Sequence, residues 1–250
     1  MKFPFSLCAA FGLLLASASV QAGQVQVAVA ANFSEPMREI ARQFEAETGH
    51  QALLTFGATG KFYAQVRNGA PFEVLLAADQ RTPARLEAEG AVVPGSRFTY
   101  AIGTLVLWSP QSGLVDELGA VLRDGQFRYL AVASAATAPY GAAAQQVLEH
   151  FGVRERLQGR LVTGENITQT YQFVASGNAQ LGFVALSQVM VDGKLQPGSA
   201  WQVPQELHET IRQDAVLLAR GRANPAAQAL HDYLRSDAAA QVIRRFGYRL

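Results

Sequence analysis

Apolar positions along the chain follow two alternating rhythms. Val25-Gln26-Val27-Ala28-Val29-Ala30 places an apolar residue at every second position, which predicts a strand. Ser34-Glu35-Pro36 then supplies a cap, an acidic first turn and a proline tolerated there. Met37, Ile40, Ala41 and Phe44 recur at helical spacing until Gly49. The alternation continues with strands over 52–56, 74–78, 105–108, 129–133, 181–185 and 215–219. Helices are predicted over 61–68, 82–89, 141–151, 168–176, 225–234 and 238–246. No repeat of 20 to 50 residues is visible, which argues against a solenoid.

Strands apolar on both faces, alternating with helices, predict parallel sheets covered by helices. The elements fit two small α/β units better than one long sheet. The chain is expected to cross between them near Tyr100–Gly103 and to return near Arg212–Ala215. The predicted class is α/β, with two Rossmann-like lobes of helices packed on mainly parallel sheets. Lobe I is 23–101 with 213–250, lobe II is 102–212, and a ligand cleft lies between them. Open α/β sheets bind ligands beyond the carboxyl ends of their strands, so the informative residues belong in strand-to-helix loops.

The N-terminus breaks this pattern. Lys2 is the only charge before an apolar run from Phe3 to Ala16, and small residues follow, ending in Val20-Gln21-Ala22. That reads as a secretory signal peptide over 1–22; the run falls short of the ~20 residues a membrane span needs. Cleavage there would remove Lys2 and Cys8, the single cysteine, leaving an exported, periplasmic chain held together by its core rather than by disulfides. Thiol nucleophiles, iron–sulfur clusters and thiolate zinc sites are thereby excluded. The formal net charge is +1 with no basic block, which argues against nucleic acid or an anionic membrane surface as the main partner.

Four loops each precede a predicted helix: Ala30-Ala31-Asn32-Phe33-Ser34, Gly57-Ala58-Thr59-Gly60, Ala138-Pro139-Tyr140-Gly141 and Gly164-Glu165-Asn166-Ile167-Thr168. A helix start presents unpaired N–H groups and the positive end of the helix dipole, and small side chains there let an anion approach. Taken singly, each loop reads as an ordinary cap or turn. Gly57-Ala58-Thr59-Gly60-Lys61 is not a nucleotide phosphate loop: only two residues separate its glycines, and Phe62 follows the lysine. His50, His150, His208 and His231 show no metal-ligand spacing, and no nucleophile elbow or paired catalytic carboxylates can be picked out. Trp108 and Trp201 read as core residues, whereas Tyr140, at a predicted helix start, reads equally as core or as a hydroxyl reaching the cleft.

The order and spacing of several segments resemble the periplasmic molybdate-binding proteins of ABC transporters, which are type II periplasmic binding proteins. The carrying segments are Val27–Phe33, Phe56–Gln65, Gly69–Val74 with Ala77-Ala78-Asp79, Pro139-Tyr140-Gly141, Gly164–Ile167, Leu181–Val184 and Arg245–Tyr248. The resemblance implies a tetrahedral dianion, molybdate or tungstate, held between the lobes by uncharged donors. Those would be Asn32 with Ala31, Thr59 with the Gly60 amide, Tyr140 and the Ile167 backbone. The molybdenum would enter only as the oxyanion, with no cofactor. The implied partner is a membrane permease, and the implied state a monomer with no enzymatic activity. Two positions depart from the pattern. Ala31-Asn32 stands where many relatives carry a hydroxyl, and Ala185 where some carry a tyrosine, for which Tyr140 is the candidate substitute. The competing readings are a protein of the same fold for another oxyanion such as sulfate, and an exported hydrolase.

Overall fold

The computed structural model describes residues 22–250 except Asp192; the signal peptide expected over 1–22 lies outside the described residues, Ala22 apart. In the first half, β1 (Gln24–Ala30), α1 (Ser34–Thr48), β2 (Gln51–Gly57), α2 (Thr59–Arg67), β3 (Val74–Leu76) and α3 (Arg81–Ala88) alternate, and β4 (Phe98–Gly103) follows. After Thr104 the chain enters β5 (Leu105–Ser109), α4 (Val121–Asp124), β6 (Leu130–Ala133), α5 (Pro139–His150), α6 (Arg154–Leu157), β7 (Leu161–Gly164) and α7 (Ile167–Ala175). Next come β8 (Leu181–Ala185), α8 (Leu186–Val189), a small hairpin of β9 (Met190–Val191) and β10 (Lys194–Leu195), and β11 (Ser199–Gln202). The chain returns through β12 (Ile211–Leu217) and ends in α9 (Pro225–Tyr233) and α10 (Asp237–Arg245).

Two five-stranded sheets result, one in each lobe, in the orders β2-β1-β3-β12-β4 and β11-β5-β8-β6-β7. Each is mixed rather than mainly parallel. β1 pairs in parallel with β2 and β3, and β6 with β7 and β8, while the pairings of β12, β5 and β11 are antiparallel. The antiparallel pairs arise where the chain changes lobes, because β12 returns from the second lobe beside β3 and β4. β4, β7 and β11 are strands that apolar periodicity did not predict. β4 includes Tyr100–Gly103, where a crossing between lobes is expected, and carries Thr99 and Gly103 among its apolar residues, while β7 is half-exposed, so neither shows a fully apolar run.

Burial explains the rest. β1 is buried along nearly its whole length, and α1 turns Met37, Ile40 and Phe44 onto it before ending at Gly49 in a left-handed conformation (φ 73°). α10 is capped by the Ser236 hydroxyl, which accepts the Ala239 amide. Ser34, expected as the cap of α1, instead lies inside the helix and donates its hydroxyl to the Ala31 carbonyl. The reason is a short 3-10 turn, Ala31–Phe33, inserted between β1 and α1. Trp108 and Trp201 are both buried, Trp108 stacking on Tyr171. No helix among the described residues is long and apolar enough to cross a membrane.

Candidate functional site

The carboxyl ends of β1, β2, β6 and β7 each feed a helix or turn, and those starts converge on one small space between the lobes. Its walls are Ala30, Ala31 and Asn32, Gly57 to Thr59, Ala78, Ala138 to Tyr140, and Asn166 with Ile167. They line a cavity of about 10 Å3 and include no ionisable side chain except the Tyr140 phenol. Most of these residues are buried, Thr59 and Tyr140 to 1% exposure, so the walls are shielded from bulk water.

Thr59, expected in a turn, is the first residue of α2, with Ala58 in the extended cap position. Its hydroxyl oxygen accepts the Ala78 amide at 2.9 Å, which commits a lone pair and leaves the O–H hydrogen to donate elsewhere. At α7 the Asn166 side chain accepts the amides of Thr168 and Gln169 at 2.9 and 3.0 Å. The Ile167 amide is left without a protein partner among the described residues, as a first-turn N–H is by default. Gln188 donates from Nε2 to the Ile167 carbonyl, in the next peptide, at 3.2 Å. At α5, Pro139 sits at the first helical position, where its missing N–H costs nothing, and the Tyr140 amide is the next donor. Three helices of nine to twelve residues thus direct their positive ends at one uncharged space, an arrangement suited to an anion.

Three expected donors are employed otherwise. The Gly60 amide donates to the Thr137 carbonyl across the lobes at 2.9 Å, and Gly60 is not among the walls of the space. Its lack of a side chain is what allows the approach: a Cβ there would lie 3.0 Å from the Thr137 Cα. The Tyr140 hydroxyl, considered as a cleft donor, accepts from Gln213 Nε2 at 3.2 Å in the layer beneath. Burial holds that phenol well above its ordinary pKa, with the neighbouring tyrosines adding to the effect. Asn32 lines the space, but its side-chain nitrogen donates to Gln213 Oε1 (2.8 Å) and the Tyr248 hydroxyl (3.0 Å). Its carbonyl accepts from Tyr248 (2.7 Å) and Ser187 (2.9 Å). Ala78, which ends β3's extension into the site, and the Gln213 and Tyr248 layer were not legible as site residues. The one available signal for the layer is the polar run Arg212-Gln213-Asp214 set between Ile211 and the apolar Ala215–Leu217.

Further contacts close the lobes around the space. Lys61 pairs with Glu165 at 2.7 Å, both more than 40% exposed, and the Thr168 hydroxyl donates to the Ala31 carbonyl at 3.1 Å. On the far side of the Gly60–Thr137 bond lies a second, larger cleft of about 480 Å3, partly open to solvent and lined in part by Asp79, Arg81, Glu209 and Arg212. Asp79, raised above its ordinary pKa by burial, accepts from the amide and hydroxyl of Thr82 at the start of α3. Among the described residues no group of three or more His, Cys, Asp or Glu side chains could hold a metal ion.

The bacterial extracellular solute-binding protein family matches residues 25–249, nearly the whole described chain. The chain belongs to that family. Among its relatives, the molybdate-binding protein ModA of Azotobacter vinelandii is 58% identical over the full length of both chains. The ModA of Rhodobacter capsulatus is 49% identical over 97% of this chain and 94% of its own. A solved Azotobacter vinelandii periplasmic molybdate-binding protein superposes with a TM-score of 0.88 at 40% identity, covering 90% of this chain and 99% of its own. The sulfate-binding protein SubI of Mycobacterium tuberculosis H37Rv shares the fold at 14% identity and a TM-score of 0.74, covering 91% and 86%. The solute-binding family is one of two-lobed carriers rather than enzymes, and the two-lobed mixed α/β architecture here is of that kind.

Proposed function

We propose that this chain captures molybdate, and tungstate with it, and delivers the ion to the permease of an ABC transporter. The observation that carries this reading is the convergence of the first turns of α2, α5 and α7 and the Thr59 hydroxyl on one small uncharged space. Relatives at 58% and 49% identity that are named as molybdate-binding supply the choice of ion. The site consists of Asn32 with Ala31, Thr59, Tyr140 and Ile167, with Tyr140 and Ile167 acting through their amides. Metal arrives only inside the oxyanion, and no resident cofactor is needed. Residues 23–101 with 213–250 move as one lobe and 102–212 as the other, about the paired strands β4 and β12. The protein works in the periplasm as a monomer, after removal of the leader.

The energetics suit such a site without a buried cation. Hydrogen bonds to a charged group contribute ~1.5–3 kcal/mol each, so six or seven donors cover the ~12 kcal/mol of nanomolar binding once association costs are met. Donors cannot accept. A protonated oxyanion such as hydrogen phosphate therefore leaves its hydroxyl unpartnered, and sulfate is separated from the larger molybdate by the size of the space.

A melting panel of oxyanions tests the reading. Molybdate or tungstate at ~1,000 times its dissociation constant is expected to stabilise the protein by ~4 kcal/mol, roughly 10 °C for a domain of this size. A response to sulfate or phosphate with none to molybdate or tungstate refutes the choice of ion.

A further inference from the structure

Beneath the oxyanion space lies a buried polar layer that ligand contacts alone do not explain. Gln213 is fully buried on β12, next to the register shift in its pairing with β4. Its Oε1 accepts from Asn32 Nδ2 at 2.8 Å and from the Tyr100 hydroxyl at 3.0 Å, and its Nε2 donates to the Tyr140 hydroxyl at 3.2 Å. Asn32 follows β1 in the first lobe and Tyr140 opens α5 in the second, so one side chain joins a wall residue of each lobe. The following residue, Asp214, is equally buried and is pinned by Thr99 (2.7 Å), Arg97 (3.0 Å) and Gln80 (3.1 Å), which anchors the backbone carrying Gln213. Room for the junction depends on Gly103, where a Cβ would fall 2.0 Å from the Tyr140 hydroxyl and 2.7 Å from Gln213 Nε2.

We infer that Gln213 is a positioning residue that clasps Asn32 of one lobe to Tyr140 of the other and so sets the spacing of the donors around the ion. The inference rests on the oxyanion reading and deepens it. An apolar residue would fill the same volume in a strand core without polar desolvation, so the amide's contribution lies in the geometry it imposes. Both ends of the side chain are engaged, the acceptor by two donors and the donor by Tyr140, which fixes the amide's orientation. With that spacing held, the space admits one size of tetrahedral ion closely; with it relaxed, ions of different size become more nearly equivalent.

Calorimetry on the whole protein with molybdate and with sulfate, for wild type, Gln213→Met and Gln213→Glu, provides the test. Gln213→Met breaks both ends of the clasp and is expected to bind molybdate at least tenfold more weakly, with faster release, and to lower the molybdate-to-sulfate affinity ratio by a similar factor; Gln213→Leu serves if Gln213→Met fails to fold. Gln213→Glu keeps the size and can accept from Asn32, Tyr100 and Tyr140, and its added charge penalises both dianions alike, so it is expected to bind both ions more weakly while holding the ratio near that of wild type. Apolar variants that melt lower without ligand yet keep the wild-type ratio, or a glutamate variant that loses the ratio as fully as they do, overturn the inference and leave Gln213 a packing residue. Wild type that binds neither ion overturns the oxyanion reading itself, and the two failures are thereby distinct.

Discussion

Two clefts lie side by side between the lobes, separated by the Gly60–Thr137 hydrogen bond. One is a cavity of about 10 Å3 with mostly buried walls and no charged residue; the other, of about 480 Å3, is lined by Arg81 and Arg212 together with Asp79 and Glu209. Looking for cations alone assigns the anion to the second, although its two carboxylates offset its two guanidiniums. Arg81 and Arg212 are exposed, however, and a hydrated guanidinium in water gains little from a hydrated dianion. In the first, the proposed site, amides and a hydroxyl already held in place would replace the hydration shell without reorganising. Preorganised neutral donors in a dry space therefore outweigh formal charge in a wet one.

The comparison can be broken most sharply at Thr59. Thr59→Ala is expected to weaken molybdate binding by about 1–3 kcal/mol while the protein still folds, and Thr59→Ser to restore most of it, as read by calorimetry. Unchanged affinity in the alanine variant removes the hydroxyl from the site. Gly60→Ala comes next. Its φ needs no glycine and alanine favours a helix, so the unliganded protein should melt no lower than wild type. The new methyl meets Thr137 only when the lobes are shut, so affinity should fall about tenfold, or ~1.4 kcal/mol, with less compaction on binding in small-angle scattering. Lost stability with affinity intact would mean that the seam does not limit closure.

A smaller effect is expected at the rim. Lys61→Gln removes an exposed ion pair and should cost under about 1 kcal/mol of affinity, mostly as faster release, and only at low salt. Smallest of all, Arg212→Gln in the wide cleft should leave affinity within about twofold. Affinity should also stay flat between roughly pH 6 and 8, because the one titratable wall residue, Tyr140, is held well above its ordinary pKa by burial. A tenfold loss in either experiment would return the anion to a charged site.

The sequence made the helix starts legible because they combine short-range signals. Small residues after an apolar strand, Pro139 at a first position and Asn166 two residues ahead of Thr168 all act within a few positions of themselves. The architecture followed from the alternation of strands and helices. The pairing directions at β12, β5 and β11 did not, since they depend on where a strand lands after leaving its own lobe. Gly60 was misplaced for a related reason. A glycine beside a helix start reads as a ligand's neighbour, and only the position of Thr137, 77 residues away, shows that its amide is engaged across the cleft. Gln213 was invisible because a buried amide looks like any polar residue until three partners from distant segments arrive at it.

The uncharged lining carries a last consequence. With no nearby cation to offset the cargo and no wall group poised to take up a proton near neutrality, capture changes the formal charge of the chain by the ion's full two units, from +1 to −1 for the full sequence and from 0 to −2 without the expected leader and its Lys2. Empty and loaded molecules are therefore expected to differ in electrophoretic mobility and isoelectric point. The proposed permease would have an electrostatic signature by which to sort one from the other.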